Sequence, residues 1–179
     1  MQHHNALQSL ELQGNIYEIR GLDSTDESPL VDFLISLPEH DLLYTPRNLA
    51  DPVEVNSWMR AAEEGDISTI IAIQNNSVAG WATLIVDPLS WSPHVGEIRV
   101  LVAPSHRQQG LGRALIDNRF TLAKDMGLQK LIARMTIDQQ GAFAVFETLG
   151  FKGEALFKSH VRDKKGASHD IAQLSYHLA

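Results

Sequence analysis

The residues best suited to chemistry are glycines and cations in one short stretch, Val100-Leu-Val-Ala-Pro-Ser-His-Arg-Gln-Gln-Gly-Leu-Gly-Arg113. Gly110 and Gly112 lack a Cβ, so the backbone can turn there and come close to a ligand. If a helix begins at this point, its first N–H groups have no partner inside the helix and its dipole adds partial positive charge. A phosphate group binds well at such a helix start. The stretch therefore predicts a phosphate-binding loop.

The charges around this loop agree with an anionic ligand. Residues 98–116 contain no Asp or Glu, although acids make up 22 of the 179 residues and about two would be expected there. The same residues include four basic side chains: Arg99, His106, Arg107 and Arg113. The alternative is a tight strand-to-helix turn with a solvated basic face. The spacing alone leaves both interpretations open.

Two common nucleotide-binding motifs fit the loop poorly. The Walker pattern needs G-x-x-x-x-G-K-[ST], and the sequence has no such run. The dinucleotide fingerprint needs a third glycine where Leu115 stands. That fingerprint also lies near the start of a βαβ unit, whereas this loop follows two predicted helices and three predicted strands. A nucleotide-binding domain of another fold is therefore a weak third hypothesis.

The surrounding pattern predicts the elements that position the loop. Apolar and β-branched segments predict strands at residues 16–22, 68–74, 78–86, 97–103, 130–136, 155–161 and 170–177. Helical spacing and capping residues predict helices at residues 24–38, 51–65, 112–126 and 142–149. Residues 1–14 are predicted to be a polar lead-in, and no linker divides residues 15–179. The pattern predicts a single mixed α/β domain.

Composition narrows the functional class. The hydrophobic share of 44% and the absence of cysteine predict a globular protein without disulfides, thiolate metal sites or a cysteine nucleophile. No apolar run reaches the ~18 residues of a membrane span, and no signal peptide is evident, so we expect a cytoplasmic protein without membrane contact. The net charge of −7, without a dense basic patch, argues against a nucleic-acid partner and mildly favours a neutral or cationic substrate. The histidines lack metal-binding spacing, so no metal is expected.

Two motifs carry a family resemblance. Val102-x-Pro104-x-x-Arg107-x-x-Gly110-Leu-Gly112 resembles the acetyl-CoA-binding motif of the GNAT superfamily of N-acetyltransferases. Ala142 through Glu147-Thr-Leu-Gly150-Phe151 resembles the A-x-x-x-[YF]-E-x-L-G-F segment of the same superfamily. A predicted helix and a predicted strand separate the two motifs, as in the family. The resemblance implies an α/β (α+β) fold of the GNAT acyl-CoA N-acyltransferase type, with a central mixed, mostly antiparallel sheet of six to seven strands and about four flanking helices.

The resemblance also implies that acetyl-CoA is the co-substrate and suggests its contacts. The backbone of the strand that ends at the loop would pair with the pantetheine arm, and the loop N–H groups would hold the pyrophosphate. The residues implied are Val100, Leu101, Val102, Arg107, Gln108, Gln109, Gly110, Leu111, Gly112, Arg113, Gln139 and Phe146. In the family, this strand and the next splay apart, which lets the N–H near Val102 polarise the thioester carbonyl.

The sequence departs from the family at two of these positions. Many relatives have Asn at the position of Gln139 and Tyr at the position of Phe146. That tyrosine often protonates the leaving thiolate, which Phe146 cannot do. The identity of the general acid therefore stays open.

Glu97 is the predicted general base. A lysine-like amine has a pKa near ~10.4, so making it neutral at pH 7 costs roughly 4 kcal/mol and a base is useful. Many relatives have a carboxylate near this position. Strand alternation also puts Glu97 and Arg99 on one face, so a salt bridge between them is the alternative.

These observations favour an enzyme that moves an acetyl group directly from acetyl-CoA to a primary amine in a ternary complex. The amine would belong to a small molecule or a protein, and the enzyme would be a monomer or a homodimer. The alternative is a non-catalytic acyl-CoA-binding sensor of the same fold.

Overall fold

A computed structural model describes residues 8–179 and places all their strands in one sheet. The strands are β1 (Gln8–Leu12), β2 (Asn15–Gly21), β3 (Ile67–Gln74), β4 (Ser77–Ile85), β5 (Val95–Val102), β6 (Lys130–Thr136), β7 (Lys152–Arg162) and β8 (Ser168–His177). The α-helices are α1 (Glu27–Ser36), α2 (Pro52–Glu64), α3 (Leu111–Asp125) and α4 (Gln140–Thr148). The sheet order is β1-β2-β3-β4-β5-β6-β8-β7, and only the β5–β6 pair is parallel.

The predicted mixed α/β fold and mostly antiparallel sheet are confirmed, but the strand number is wrong. The described part of the chain has eight strands rather than six to seven. The predicted polar lead-in is also wrong for residues 8–12, which form β1 and pair with β2 across a turn at Gln13 and Gly14. Residues 1–7 of that lead-in lie outside the described residues. Only Leu10 and Leu12 of this edge strand pack on the core. Two alternating apolar residues are too few to predict a strand from the sequence.

Local sequence signals set the boundaries of the other elements. The Asp51 side chain accepts a hydrogen bond from the N–H of Val53 at the start of α2, and Gly65 ends that helix with a φ of 84°. Asn75 and Asn76 have φ values of 50° and 61° and form the predicted turn between β3 and β4.

The central strands of the sheet are covered on both faces, whereas the edge strand β7 is largely exposed. α1 and α2 cover one face, where Trp81 and Leu101 lie in the core. α3 and α4 cover the other, where Ile98 lies in the core. α3 packs closely on β4 at Gly80, where an added Cβ would lie 2.9 Å from Leu115 Cδ1. Among residues 8–179, no helix has both the length and the apolar character needed to span a bilayer.

β5 and β6 separate near the middle of the sheet. They pair at only three positions, Val95 with Lys130, Gly96 with Leu131 and Glu97 with Ile132. Beyond Glu97, β5 stays paired with β4 up to Val102, and β6 stays paired with β8 up to Thr136. This separation, called the opening below, leaves one edge of each strand free for a ligand.

Candidate active site

The backbone of β5 lines one side of the opening. Ala103 N–H donates to Ala79 C=O at 2.9 Å, so the antiparallel ladder turns the backbone groups of Leu101 toward β4 and those of Val100 and Val102 into the opening. Consistent with this, Val100 C=O accepts from the Tyr44 hydroxyl at 3.3 Å. Of the three strand residues predicted to pair with the cofactor, Leu101 is the one whose backbone faces another strand.

The phosphate-binding loop joins the opening at the end of β5. A 3-10 turn (Pro104–His106) leads into the loop, where Gln108 and Gly110 have left-handed φ values of 59° and 90°. Such conformations in non-glycine residues are strained and are common in binding loops. α3 then begins at Leu111 with no side-chain cap and no acid in its first turn. Within residues 8–179, no side chain caps these first N–H groups, which suits an anion.

Side chains of the loop hold it in place. Gln109 Oε1 accepts from Asn15 Nδ2 at 2.9 Å and from the Tyr17 hydroxyl at 3.0 Å. Arg107 donates from Nε to Val102 C=O at 3.0 Å and pairs with Asp41 at 2.5 Å. Gln109 and Arg107 thus fix the loop to neighbouring elements, which leaves the loop backbone to contact a ligand.

Arg113 lies in the first turn of α3. Its Nε is 3.1 Å from Asp117 Oδ2, four residues further along the helix, and both side chains are about half exposed. An exposed pair of this kind is weak and easily exchanged for another anion. Arg113 also donates from a terminal nitrogen to Thr148 Oγ1 at 3.4 Å, and a phosphate could replace both of these exposed contacts.

Glu97 lies where β5 and β6 separate and is held by arginine. Arg99 donates from Nε to Glu97 Oε1 at 2.8 Å and from its terminal nitrogen to Oε2 at 3.2 Å. Arg134 approaches Oε2 to 3.8 Å. The side chains of Glu97 and Arg99 are 12% and 7% exposed, so the predicted alternative, a salt bridge, is present. The role of Glu97 as the general base stays a prediction. In that role, Glu97 would accept the proton on a carboxylate lone pair that Arg99 does not occupy.

Tyr44, in the α1–α2 connection, is a site residue that no sequence motif indicated. Its hydroxyl reaches the part of the opening next to Arg99 and Glu97. Burial raises the pKa of the Tyr44 phenol, so it is protonated at neutral pH and can donate.

Gln139 and Phe146 lie on the β6 side. Gln139 Oε1 accepts from Thr136 N–H at 3.3 Å and so shapes the turn between β6 and α4. Phe146 is 3% exposed and packs edge-to-face on Phe151, with ring centroids 5.0 Å apart. Phe146 is thus primarily a core residue on the face of the sheet that α3 and α4 cover.

Replacing Gly112 by Asp is expected to weaken acetyl-CoA binding about tenfold or more while leaving the free protein at least as stable. Gly112 is the second residue of α3, and a Cβ there would lie 3.5 Å from Val102 Cγ2, which is an ordinary contact. A carboxylate at this position interacts favourably with the helix dipole but repels a pyrophosphate. Isothermal titration with acetyl-CoA measures the change.

Gly112→Ala is the matched control, because it adds the Cβ without the charge and should retain most of the affinity. Gly110 is less suitable for this test, since any side chain at its φ of 90° would strain the free protein as well. An Asp variant with unchanged affinity would contradict the assignment of the loop.

Comparison with known proteins places this geometry in context. A family model described as "Acetyltransferase (GNAT) family" matches residues 33–151. The L-amino acid N-acyltransferase MnaT of Escherichia coli (strain K12) is 27% identical over 118 residues, which are 63% of this chain and 68% of that protein. N-acetyltransferase 8F1 of Rattus norvegicus is 30% identical over 84 residues, which are 46% of this chain but only 38% of the rat protein.

Solved structures show the same fold. An N-acetyltransferase from Staphylococcus aureus Mu50 superposes with a TM-score of 0.77 at 18% identity, covering 91% of this chain and 99% of that one. The protein yncA from Salmonella typhimurium, in a structure with its cofactor acetyl-CoA, superposes with a TM-score of 0.74 at 20% identity, covering 91% of this chain and 94% of that one.

Proposed function

This chain belongs to the GNAT acetyltransferase family, whose model spans residues 33–151, and from that premise we propose that it transfers an acetyl group from acetyl-CoA to a primary amine. The observation that carries the proposal is the junction at Val102, where the opening between β5 and β6 meets the uncapped start of α3. This junction fits a long ligand with a pyrophosphate at one end and a thioester at the other.

The groups around the opening suit direct transfer in a ternary complex. Glu97, directly or through a water, takes the proton of the attacking amine, and the Val102 N–H stabilises negative charge on the thioester oxygen. The new N–C bond forms as the C–S bond breaks. The Tyr44 hydroxyl is the hydrogen-bond donor that we assign to the leaving thiolate, since Phe146 has none, and the thiolate takes its proton from protonated Glu97 or from water.

The charges beside Glu97 support an acceptor that carries a carboxylate near its amine. Arg134 and Arg99 bring two cations to one carboxylate, and the Arg134 side chain is 39% exposed. Gln173 Oε1 accepts from Arg134 Nε at 2.9 Å and orients the guanidinium. Although the net charge of −7 favours a neutral or cationic substrate, the partly exposed Arg134 guanidinium offers a partner for a carboxylate. The similarity to MnaT, an L-amino acid N-acyltransferase, agrees with an amino-acid acceptor.

The test is release of free thiol from acetyl-CoA with a panel of amines. We expect turnover with L-amino acids. For the matching amino-acid amides, kcat/KM should be lower by about tenfold or more, because the amide cannot form an ion pair with Arg134. Arg134→Met should remove most of this preference.

Binding of acetyl-CoA without turnover on any amine would instead identify a sensor module. Turnover with equal preference for acids and amides would retain the acetyltransferase and reject the carboxylate-bearing acceptor.

A further inference from the structure

Two histidines and an aspartate from three distant parts of the chain meet beside the opening. His40 lies in the 3-10 turn Glu39–Leu42, Asp138 in the turn after β6, and His169 in β8. One potential ligand atom from each residue lies within 4.8 Å of those from the other two. His40 Nε2 is 2.8 Å from Asp138 Oδ1, and the rings of His40 and His169 are edge-to-face with centroids 5.2 Å apart.

Imidazole and carboxylate are a ligand set that suits zinc. Zinc binds histidine nitrogen at about 2.0–2.1 Å, which puts the ligand atoms of a tetrahedral site about 3.3 Å apart. The cluster is slightly wider than this, and its side chains have room to adjust, because those of His40 and Asp138 are 35% and 60% exposed. Three protein ligands leave a fourth position for water.

Asp163 orients one histidine of the cluster, since its Oδ2 is 3.0 Å from His169 Nε2 and leaves Nδ1 of that ring for a metal. Thr136 Oγ1 is 3.0 Å from His40 Nε2, the nitrogen that also faces Asp138, so a metal bound there would replace the contact with Thr136. Carboxylates that hydrogen-bond to one ring nitrogen commonly orient histidines whose other nitrogen binds a metal. Asp138 and Asp163 together supply the two negative charges that balance a divalent cation.

We propose that His40, Asp138 and His169 bind one zinc ion. The ion would connect the segment between α1 and α2 to β6 and β8. The neighbouring Asp41 pairs with Arg107 of the phosphate-binding loop, so the same connection would also steady the loop. The expectation that no metal binds rested on sequence spacing alone, and spacing cannot reveal ligands separated by 98 residues. The proposal does not depend on the acetyltransferase activity.

The test is calorimetric titration of zinc into the full chain after removal of metal by a chelator, with cobalt absorption as a second readout. Wild type is expected to bind one ion per chain. His40→Ala and His169→Ala should each weaken binding at least tenfold. His160→Ala is the matched control, because His160 is an exposed histidine of β7 outside the cluster, and it should bind as wild type does.

A further control is needed because His3 and His4 are adjacent in the sequence and could bind metal by themselves. The double variant His3→Ala/His4→Ala should retain the site. Circular dichroism checks the fold of each variant, and if His169→Ala does not fold, Asp138→Asn replaces it and should also weaken binding at least tenfold. Absence of zinc binding in wild type, or binding that survives His169→Ala and Asp138→Asn or disappears in the His3/His4 variant, overturns the proposal.

Discussion

Glu97→Gln is expected to lower kcat by about 10²-fold near neutral pH while barely changing the affinity for acetyl-CoA. Gln keeps the shape of Glu97 but cannot accept the proton of the attacking amine. The deficit should shrink as the pH approaches the pKa of the amine, near ~10.4 for a lysine-like amine, because more of the substrate is then already neutral. Steady-state kinetics from about pH 6 to about pH 9 measure this dependence.

The ion pair with Arg99 makes a stability control necessary. Removing the carboxylate leaves Arg99, 7% exposed, without its partner, and breaking a buried pair in this way costs about 3–5 kcal/mol. Denaturant unfolding of Glu97→Gln, Arg99→Gln and the double variant gives the structural contribution as a double-mutant cycle. A base at Glu97 predicts that Arg99→Gln lowers kcat much less than Glu97→Gln does. Equal losses in the two single variants, or wild-type kcat in Glu97→Gln at every pH, would leave Glu97 a structural salt-bridge partner.

Phe146→Ala is expected to lower the free energy of unfolding by about 3–5 kcal/mol, because a large buried ring is lost from the core between α3, α4 and the sheet. The 3% exposure of Phe146 and its edge-to-face contact with Phe151 leave little room for the neighbours to collapse into the cavity. Denaturant unfolding measures the loss. We also expect weaker acetyl-CoA binding, because Phe146 shares its core with Ile98 of β5 and Met135 of β6, the two strands that border the opening. A loss below about 1 kcal/mol would contradict the tight packing of this ring.

Phe146→Tyr restores the family's more common residue and tests which hydroxyl serves the reaction. We expect a folded protein with normal acetyl-CoA binding and a kcat within about tenfold of wild type, or ~1.4 kcal/mol of barrier, because transfer does not depend on an acid at this position. Tyr44→Phe should lower kcat by more than about tenfold, because it removes the hydroxyl that we assign to the leaving thiolate. If wild type transfers to no amine and Phe146→Tyr creates activity, the natural protein is a binding module rather than an enzyme.

The parts of the fold that the sequence predicted are those with local signals. The strand-loop-helix segment from β5 to α3, the asparagine turn between β3 and β4, and both ends of α2 follow from residues close together in the chain. β5 was predicted to begin at Glu97 but begins at Val95. The two missed residues matter because Val95 and Gly96 make two of the three pairs with β6.

The site residues that the sequence could not predict are brought in by tertiary contacts. Tyr44 meets Val100 across 56 residues of sequence, and His40 meets Asp138 across 98. The salt bridge from Glu97 to Arg99, in contrast, spans two residues and follows from strand alternation. Contacts that depend on how distant elements pack have no periodicity or motif to reveal them in a single sequence.

The separation of β5 from β6 divides the backbone hydrogen bonding of the sheet into five strands and three strands, joined by three residue pairs. Side chains also join the two parts, because Leu84 and Ile98 share one core cluster with Leu131 and Met135, and Phe120 of α3 packs on Tyr176 of β8. In the free protein the β5 edge is the kind of unpaired strand that invites an extended chain from another molecule. A ligand seated along that edge would cover it and slow the hydrogen exchange of the Val100 and Val102 amides. The protein should therefore be less prone to aggregate when such a ligand is abundant.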